Sequence, residues 1–305
     1  MRIRVWNVLT IAPIAFAIVS ISLWMGKQAY SWFPVEAAAE SHLVDELFSF
    51  LVVLGTLIFL GVTSTVLYSI LFHRAAKDDM SDGPPIEGNL TLEVVWTAIP
   101  VLLVFWIAGY SYQIYNQMGI QGPMEAAHLH MMESAEAAPM ESGMETGDAK
   151  PIENIDVVAK QWAWIFHYPN NDVTSTELHL PVNQRVRLAL QSEDVLHGFY
   201  VPEFRVKQDI VPKQTINLEF TPILEGKYQL TDSQFSGTYF AANEASVVVE
   251  SEDDYNNWLN TAASQTPSLA KNQAVDEYKE ASESSVKNGW ETVIPAAAPV
   301  VNYPG

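Results

Sequence analysis

Residues Leu47 to Phe72 read LFSFLVVLGTLIFLGVTSTVLYSILF, a run without one charged side chain. A bilayer core is crossed by about 20 apolar helical residues, because only a helix satisfies its own backbone in hydrocarbon. A second uncharged run follows from Val94 to Tyr115, with Pro100 inside it. A proline that would break a soluble helix is tolerated in a membrane span, where neighbouring helices satisfy the freed carbonyl. The two runs predict a transmembrane helical hairpin over 40–117.

Upstream, Arg2 and Arg4 precede a third apolar run, Val5 to Met25, and Ala37-Ala38-Ala39 offers a cleavage-like site beyond it. Residues 1–39 are therefore either a signal peptide or an N-terminal third span; the run is long for a signal, and the alanines lie well past its end. Basic residues orient the hairpin by the positive-inside rule. His73, Arg74 and Lys77 fall between the two spans, while Lys27 stands alone on the other side. The loop 73–92 is thus expected in the cytoplasm, and all that follows Tyr115 in a periplasm or lumen.

The rest of the chain is an acidic soluble region. The 305 residues carry a net charge of −20, which leaves nothing to neutralise a row of phosphates and excludes nucleic acid as a partner. Such a surface is solvated, or steers a cationic partner. There is no cysteine, which excludes disulfides, thiolate zinc sites, haem attached through CxxCH and every copper centre built on a thiolate. Residues 118–150 form a linker holding six of the nine methionines, with His128 and His130 among them. Thioether and imidazole suit copper, so Met124, His128, His130, Met131 and Met132 are candidates for weak copper capture; a disordered linker is the plainer reading.

After Lys150 the pattern changes to short alternating runs. Ile155, Val157, Trp162, Trp164 and Phe166 mark a first strand region; Val186, Leu188 and Leu190 mark another, and Ile216, Leu218 and Phe220 a third, with Val247-Val248-Val249 closing the series. Turn residues separate the runs at the spacing of an all-β sandwich, here over 151–259. Tyr255, Trp258 and Leu259 sit at helical spacing and are expected to dock a short helix. From about Asn260 to Gly305 the Ala, Ser, Gln and Pro content predicts a flexible tail.

Two spans followed by an external sandwich is the layout of subunit II of haem-copper terminal oxidases, and four motifs resemble that family in order. Leu92 to Pro100 (LEVVWTAIP) resembles the opening of its second helix, and Gln161-Trp162-Ala163-Trp164 its aromatic strand. Asp194 to Phe199 (DVLHGF), with Val201-Pro202 and Lys207-Gln208-Asp209, resembles the strand before its copper loop, and Ala245 to Glu250 its closing strand. The resemblance covers roughly residues 40–260 and implies a cupredoxin-like external domain. The loop Asp82 to Asn89 and the Met/His-rich linker look most like the cyanobacterial branch.

In copper-bearing members of the family, an upstream histidine and a loop of form C-x-E-x-C-x-x-x-H-x-x-M hold two copper ions bridged by thiolates. Laid on this chain, the loop reads Asp232, Gln234, Ser236, Phe240 and Asn243, and only His197 survives. Hard oxygen ligands cannot hold a mixed-valence copper pair, so His197 is expected to be a hydrogen-bonded structural residue, with packing by Phe240 in place of ligation. A magnesium ion contacted by the family's glutamate is put in doubt by Gln234. The resemblance also makes Glu93 a candidate for proton entry, against the simpler role of an acid at a helix start. Trp162 matches the family's electron-entry tryptophan, but with no copper behind it is expected to serve packing.

These readings imply a non-catalytic subunit of a terminal oxidase that binds no cofactor itself, with haem and copper in a partner subunit I. Subunits I and III, membrane lipid and quinol as donor are the implied partners, in a bacterial plasma or thylakoid membrane. The alternatives are a cytochrome c oxidase subunit II fed by a soluble cytochrome or cupredoxin, and a membrane copper-delivery protein using the linker.

Overall fold

The computed structural model describes residues 5–72, 74, 88–118, 120–121, 151–266 and 272–283. It divides into two units, one of Met1–Phe33 with Leu43–Ile114, the other of Pro34–His42 with Tyr115–Gly305.

The first unit is helical. It holds α1 (Val5–Ala29), α2 (Ser41–Phe72) and α3 (Leu90–Gln117). The most apolar stretches of α2 and α3 are long enough to cross a membrane, and none of either stretch is buried in the protein. Phe59, Leu71, Leu102 and Phe105 stand largely exposed, which suits lipid or another subunit and would be unfavourable in water. Between the two helices, Phe50 meets Trp106 and Tyr110 edge to face at 5.2 and 5.6 Å. Pro100 lies within α3.

The second unit is a sandwich of two sheets. Its strands are β1 (Ile120–Gln121), β2 (Glu153–Lys160), β3 (Ala163–Tyr168), β4 (Val173–Ser175), β5 (Leu178–Pro181) and β6 (Val186–Ser192). They continue with β7 (His197–Val201), β8 (Val206–Ile210), β9 (Ile216–Phe220), β10 (Gly226–Asp232) and β11 (Glu244–Glu250). One sheet runs β1-β9-β6-β2-β3-β4 and the other β5-β11-β10-β7-β8. Among the described strands two pairings are parallel, β2 with β6 and β5 with β11; the rest are antiparallel.

Period-two alternation decides which faces meet. Ile155, Val157 and Ala159 of β2 and Val186, Leu188 and Leu190 of β6 point inward, while their neighbours point outward. The inner faces close over Trp164, Phe166, Tyr168, Phe199, Phe204 and Phe220, all essentially inaccessible. The first strand region read from the sequence is two strands, β2 and β3, turning at Gln161-Trp162.

The expected short helix is α4 (Glu252–Ser264), capped by the Ser251 hydroxyl accepting from the Asp254 amide at 3.2 Å. It buries Tyr255, Leu259 and Ala262, and Trp258 stacks on His179 at 3.8 Å. Within the span expected as a flexible tail, the structure places the end of α4 and a further helix, α5 (Gln273–Glu283).

Candidate functional site

Strands β7 and β10 are neighbours, with Phe199 opposite Asp232. The end of β10 thereby meets the start of β7, and the segment 233–243 folds over both. Four of the positions singled out from the sequence come together here: His197, Asp232, Ser236 and Asn243 are each buried.

Asp232 is the hub. One carboxylate oxygen accepts from the amides of Gly198 at 2.8 Å and Gln234 at 3.0 Å. The other accepts from the Ser236 hydroxyl at 2.8 Å and the Asn243 amide nitrogen at 3.1 Å, and faces His197 Nδ1 at 2.6 Å. The opposite ring nitrogen, Nε2, faces Asp194 at 2.8 Å. Asp194 also takes the amides of Gln161 at 2.8 Å and Val195 at 2.6 Å.

A histidine with a carboxylate at each ring nitrogen is best satisfied as an imidazolium donating to both. Burial alone would lower the His197 pKa, but hydrogen bonds and charge from Asp232 and Asp194 outweigh it and raise the value above 6.5. Burial would likewise raise Asp232 and Asp194, yet donation from His197 and the surrounding amides brings both below 3.8. The shifts describe one cation held between two anions.

Close approach of the backbone completes the site. A Cβ on Gly198 would lie 2.2 Å from the Ser233 hydroxyl and 3.1 Å from the Gln234 amide nitrogen, so any larger residue would have to turn Ser233 away and shift the loop. Gly237 has φ of +109°, and a Cβ there would run into Gln161 and Trp162. The Ser236 carbonyl accepts from Gln161 Nε2 at 2.6 Å and Trp162 Nε1 at 3.1 Å.

The remaining sequence candidates lie elsewhere. Gln234 gives only its amide to the hub, while its side chain hydrogen-bonds Asp209 and, with Lys207, lowers that carboxyl's pKa. Phe240 is half-buried and packs on Phe235 at 4.9 Å; Phe235 itself is 78 % exposed. Trp162 is only 6 % exposed, covered by Tyr239 and by Tyr278 of α5, each edge to face at 5.3 Å. Glu93 stands in the first turn of α3, where Asn89 caps the Leu92 amide at 3.2 Å. Met124, His128, His130, Met131 and Met132 fall outside the described residues.

Sequence reasoning missed Asp194, although it opens one of the quoted motifs. Its signal was the i, i+3 spacing to His197, an ordinary spacing until the fold turns both groups inward.

These residues do not fit a dinuclear copper centre. The bridging thiolates have no counterpart, since the chain has no cysteine, and both nitrogens of the one histidine are committed to carboxylates. Among the described residues, no three His, Cys, Asp or Glu side chains gather in an arrangement that would hold a metal.

Apolar helices long enough to cross a membrane, followed in the chain by a two-sheet sandwich of cupredoxin type with a buried polar network where β7 and β10 meet, define a membrane protein with a folded polar domain. Residues 22–114 match the transmembrane domain of cytochrome c oxidase subunit II, and residues 171–251 match its periplasmic domain. The chain belongs to the cytochrome c oxidase subunit II family. It is 33 % identical over 267 residues to a cytochrome c oxidase subunit 2 of Synechocystis sp., covering 81 % of this chain and 80 % of that one. It is likewise 33 % identical over 266 residues to the one of Thermostichus vulcanus, covering 78 % and 80 %. A quinol oxidase subunit 2 of Bacillus subtilis is 26 % identical over 223 residues, covering 72 % of this chain and 63 % of that one. The family match gives the sandwich an extracytoplasmic location.

Proposed function

We propose that this chain is the non-catalytic subunit II of a copper-depleted, quinol-oxidising haem-copper terminal oxidase, resembling the alternative respiratory oxidase of cyanobacteria, the branch its 82–89 loop and its linker look most like. The observation that carries the reading is the Asp232–His197–Asp194 network. Where copper-bearing relatives need two thiolates to relay single electrons, this chain has a protonated histidine between carboxylates, which conducts no electrons. A donor dissolved in the bilayer needs no such relay. It reaches the haem of subunit I directly, and oxygen is reduced there. In this arrangement the chain caps subunit I, with subunit III and lipid as further neighbours, and Glu93 at the cytoplasmic start of α3 offers a proton-exchanging carboxylate.

A soluble cytochrome as donor finds less support. The indole that would receive its electrons lies under Tyr278 and Ala274 of α5. The copper-delivery reading rests on a linker outside the described residues.

Oxygen uptake by the purified complex separates the readings. Uptake is expected with a quinol and not with a reduced soluble cytochrome; uptake with the cytochrome alone would reject the proposal. Metal analysis with near-infrared spectroscopy tests its premise independently, and two coppers per chain beyond the copper of subunit I, with mixed-valence absorption, would overturn it.

A further inference from the structure

We infer that α1 is retained in the mature protein as a third membrane span, because the stretch bearing the cleavage-like alanines is built into the external domain.

The stretch 34–42 belongs to the sandwich unit, not to the helical one. Ala37 and Ala38 are 0 % and 1 % exposed, within the same core as Phe204 and Phe220. The backbone is bonded on both sides. Ala37 donates to the Glu203 carbonyl at 3.0 Å and accepts from Ile223 at 2.9 Å, and Ala39 donates to Thr221 at 2.9 Å. Glu40, nearly buried, pairs with Arg185 at 3.1 Å and accepts the Thr221 amide at 3.0 Å. Arg205 donates to the Pro34 carbonyl at 2.7 Å.

A signal peptidase acts before folding, so burial does not shield the alanines; it spoils the product. Cleavage after Ala37, Ala38 or Ala39 would put a new charged amine in or beside the core and delete the backbone partners of Glu203 and Ile223. Such a group is strongly unfavourable where water cannot reach it.

A second observation comes from the helical unit. A Cβ on Gly26 would lie 2.3 Å from Val53 of α2, and the Ser49 hydroxyl donates to the Gly26 carbonyl at 2.9 Å. A glycine that lets two helix backbones meet, with a serine bonding across, is how membrane helices pack. Phe33 and Trp32 then meet Phe48 edge to face. The 25 residues of α1 span about 37 Å, enough for the bilayer core and well beyond a signal's apolar segment. With Arg2 and Arg4 inside, α1 runs outward and delivers 34–42 to the external side, where the sandwich needs it.

The test is the intact mass of the chain purified through a C-terminal tag, in complex, from its membrane. A mass that retains Val5 and all of α1 is expected; a mature start at Ala38, Ala39 or Glu40, or any start beyond Val5, would overturn the inference. Orientation is read separately, because the chain has no cysteine. Tyr30→Cys, at an exposed position, is expected to be labelled at full length by an impermeant maleimide from the same side of the membrane as Phe235→Cys on the exposed surface of the sandwich. Full-length Tyr30→Cys chain labelled only from the opposite side would reject the outward span. The mass measurement stands whether or not that variant inserts.

Discussion

His197 is the centre of its own charge cluster, a buried imidazole with a carboxylate at each ring nitrogen, Asp232 at Nδ1 and Asp194 at Nε2. Removing one partner of a buried charge pair is costly because the other is left unbalanced. His197→Ala is expected to cost about 3 kcal/mol, the low end for such a change, since Asp232 keeps its amide, hydroxyl and Asn243 donors. That corresponds to a fall of roughly 10 °C in the melting temperature of the sandwich, measurable by scanning calorimetry of the purified full chain. The pH dependence has two limbs. Because the His197 value is raised, its contribution is complete below 6.5 and is lost as pH rises through the folded value. Because Asp232 and Asp194 are lowered, theirs is complete above 3.8 and is lost as pH falls through their folded values. The wild type should therefore melt highest between about pH 4 and 6.5, and the alkaline decline should vanish in His197→Ala; an unchanged alkaline limb would show that His197 is neutral. The missing ligands were legible in the sequence, since a thiolate cannot be replaced invisibly. The replacement network was not, because it depends on Asp194 and on how β7 and β10 meet.

Elements that the sequence advertises are those with strong periodicity. The charge-free runs became α2 and α3 because only a helix satisfies its own backbone in hydrocarbon, and the alternating runs became the sandwich strands because alternation admits one way of burying an apolar face. Helix α5 carried a fainter signal: Ala274, Val275 and Tyr278 stand at helical i, i+1, i+4 spacing, but the apolar stripe is one turn long and set in a polar stretch. Eleven residues form a marginal helix alone, so α5 persists through its seat on Trp162 and Tyr239. Ala274→Asp places a carboxylate at a position 5 % exposed and should unseat it. Hydrogen exchange in 273–283 is expected to speed up more than about tenfold, with β2 and β3 unchanged; retained protection would mean that the helix is held by something other than this seat. In the first turn of α3, Glu93 can be a helix-start acid or a proton entry. As the first, Glu93→Gln would cost about 0.3–1 kcal/mol through the helix dipole and leave turnover alone. As the second, it is expected to slow oxygen uptake by the assembled complex several-fold, with Glu93→Asp retaining most of the rate.

The molecule as a whole carries a net charge of −20, and the residues after the last membrane helix are rich in Asp and Glu. Such a field attracts cationic soluble proteins over distances of about a Debye length, and salt weakens it steeply. Acidity alone would therefore suit a protein that receives a basic cytochrome. Covered Trp162 and the locked His197 argue that the field serves no such docking, and leave it the simpler task of keeping an exposed domain solvated. The two uses part company in the ionic-strength dependence of the rate. Quinol is uncharged and arrives through the bilayer, so oxygen uptake with quinol should change by less than about twofold between low salt and physiological salt. Electron entry from a cationic protein would fall by an order of magnitude or more over the same range, as steered encounters do. A flat profile with quinol, together with no uptake from a basic cytochrome even at low salt where the field is strongest, is the expected pair of results. A steep salt dependence would place electron entry on the acidic external surface, and the closed face over Trp162 would then have to open in the working complex.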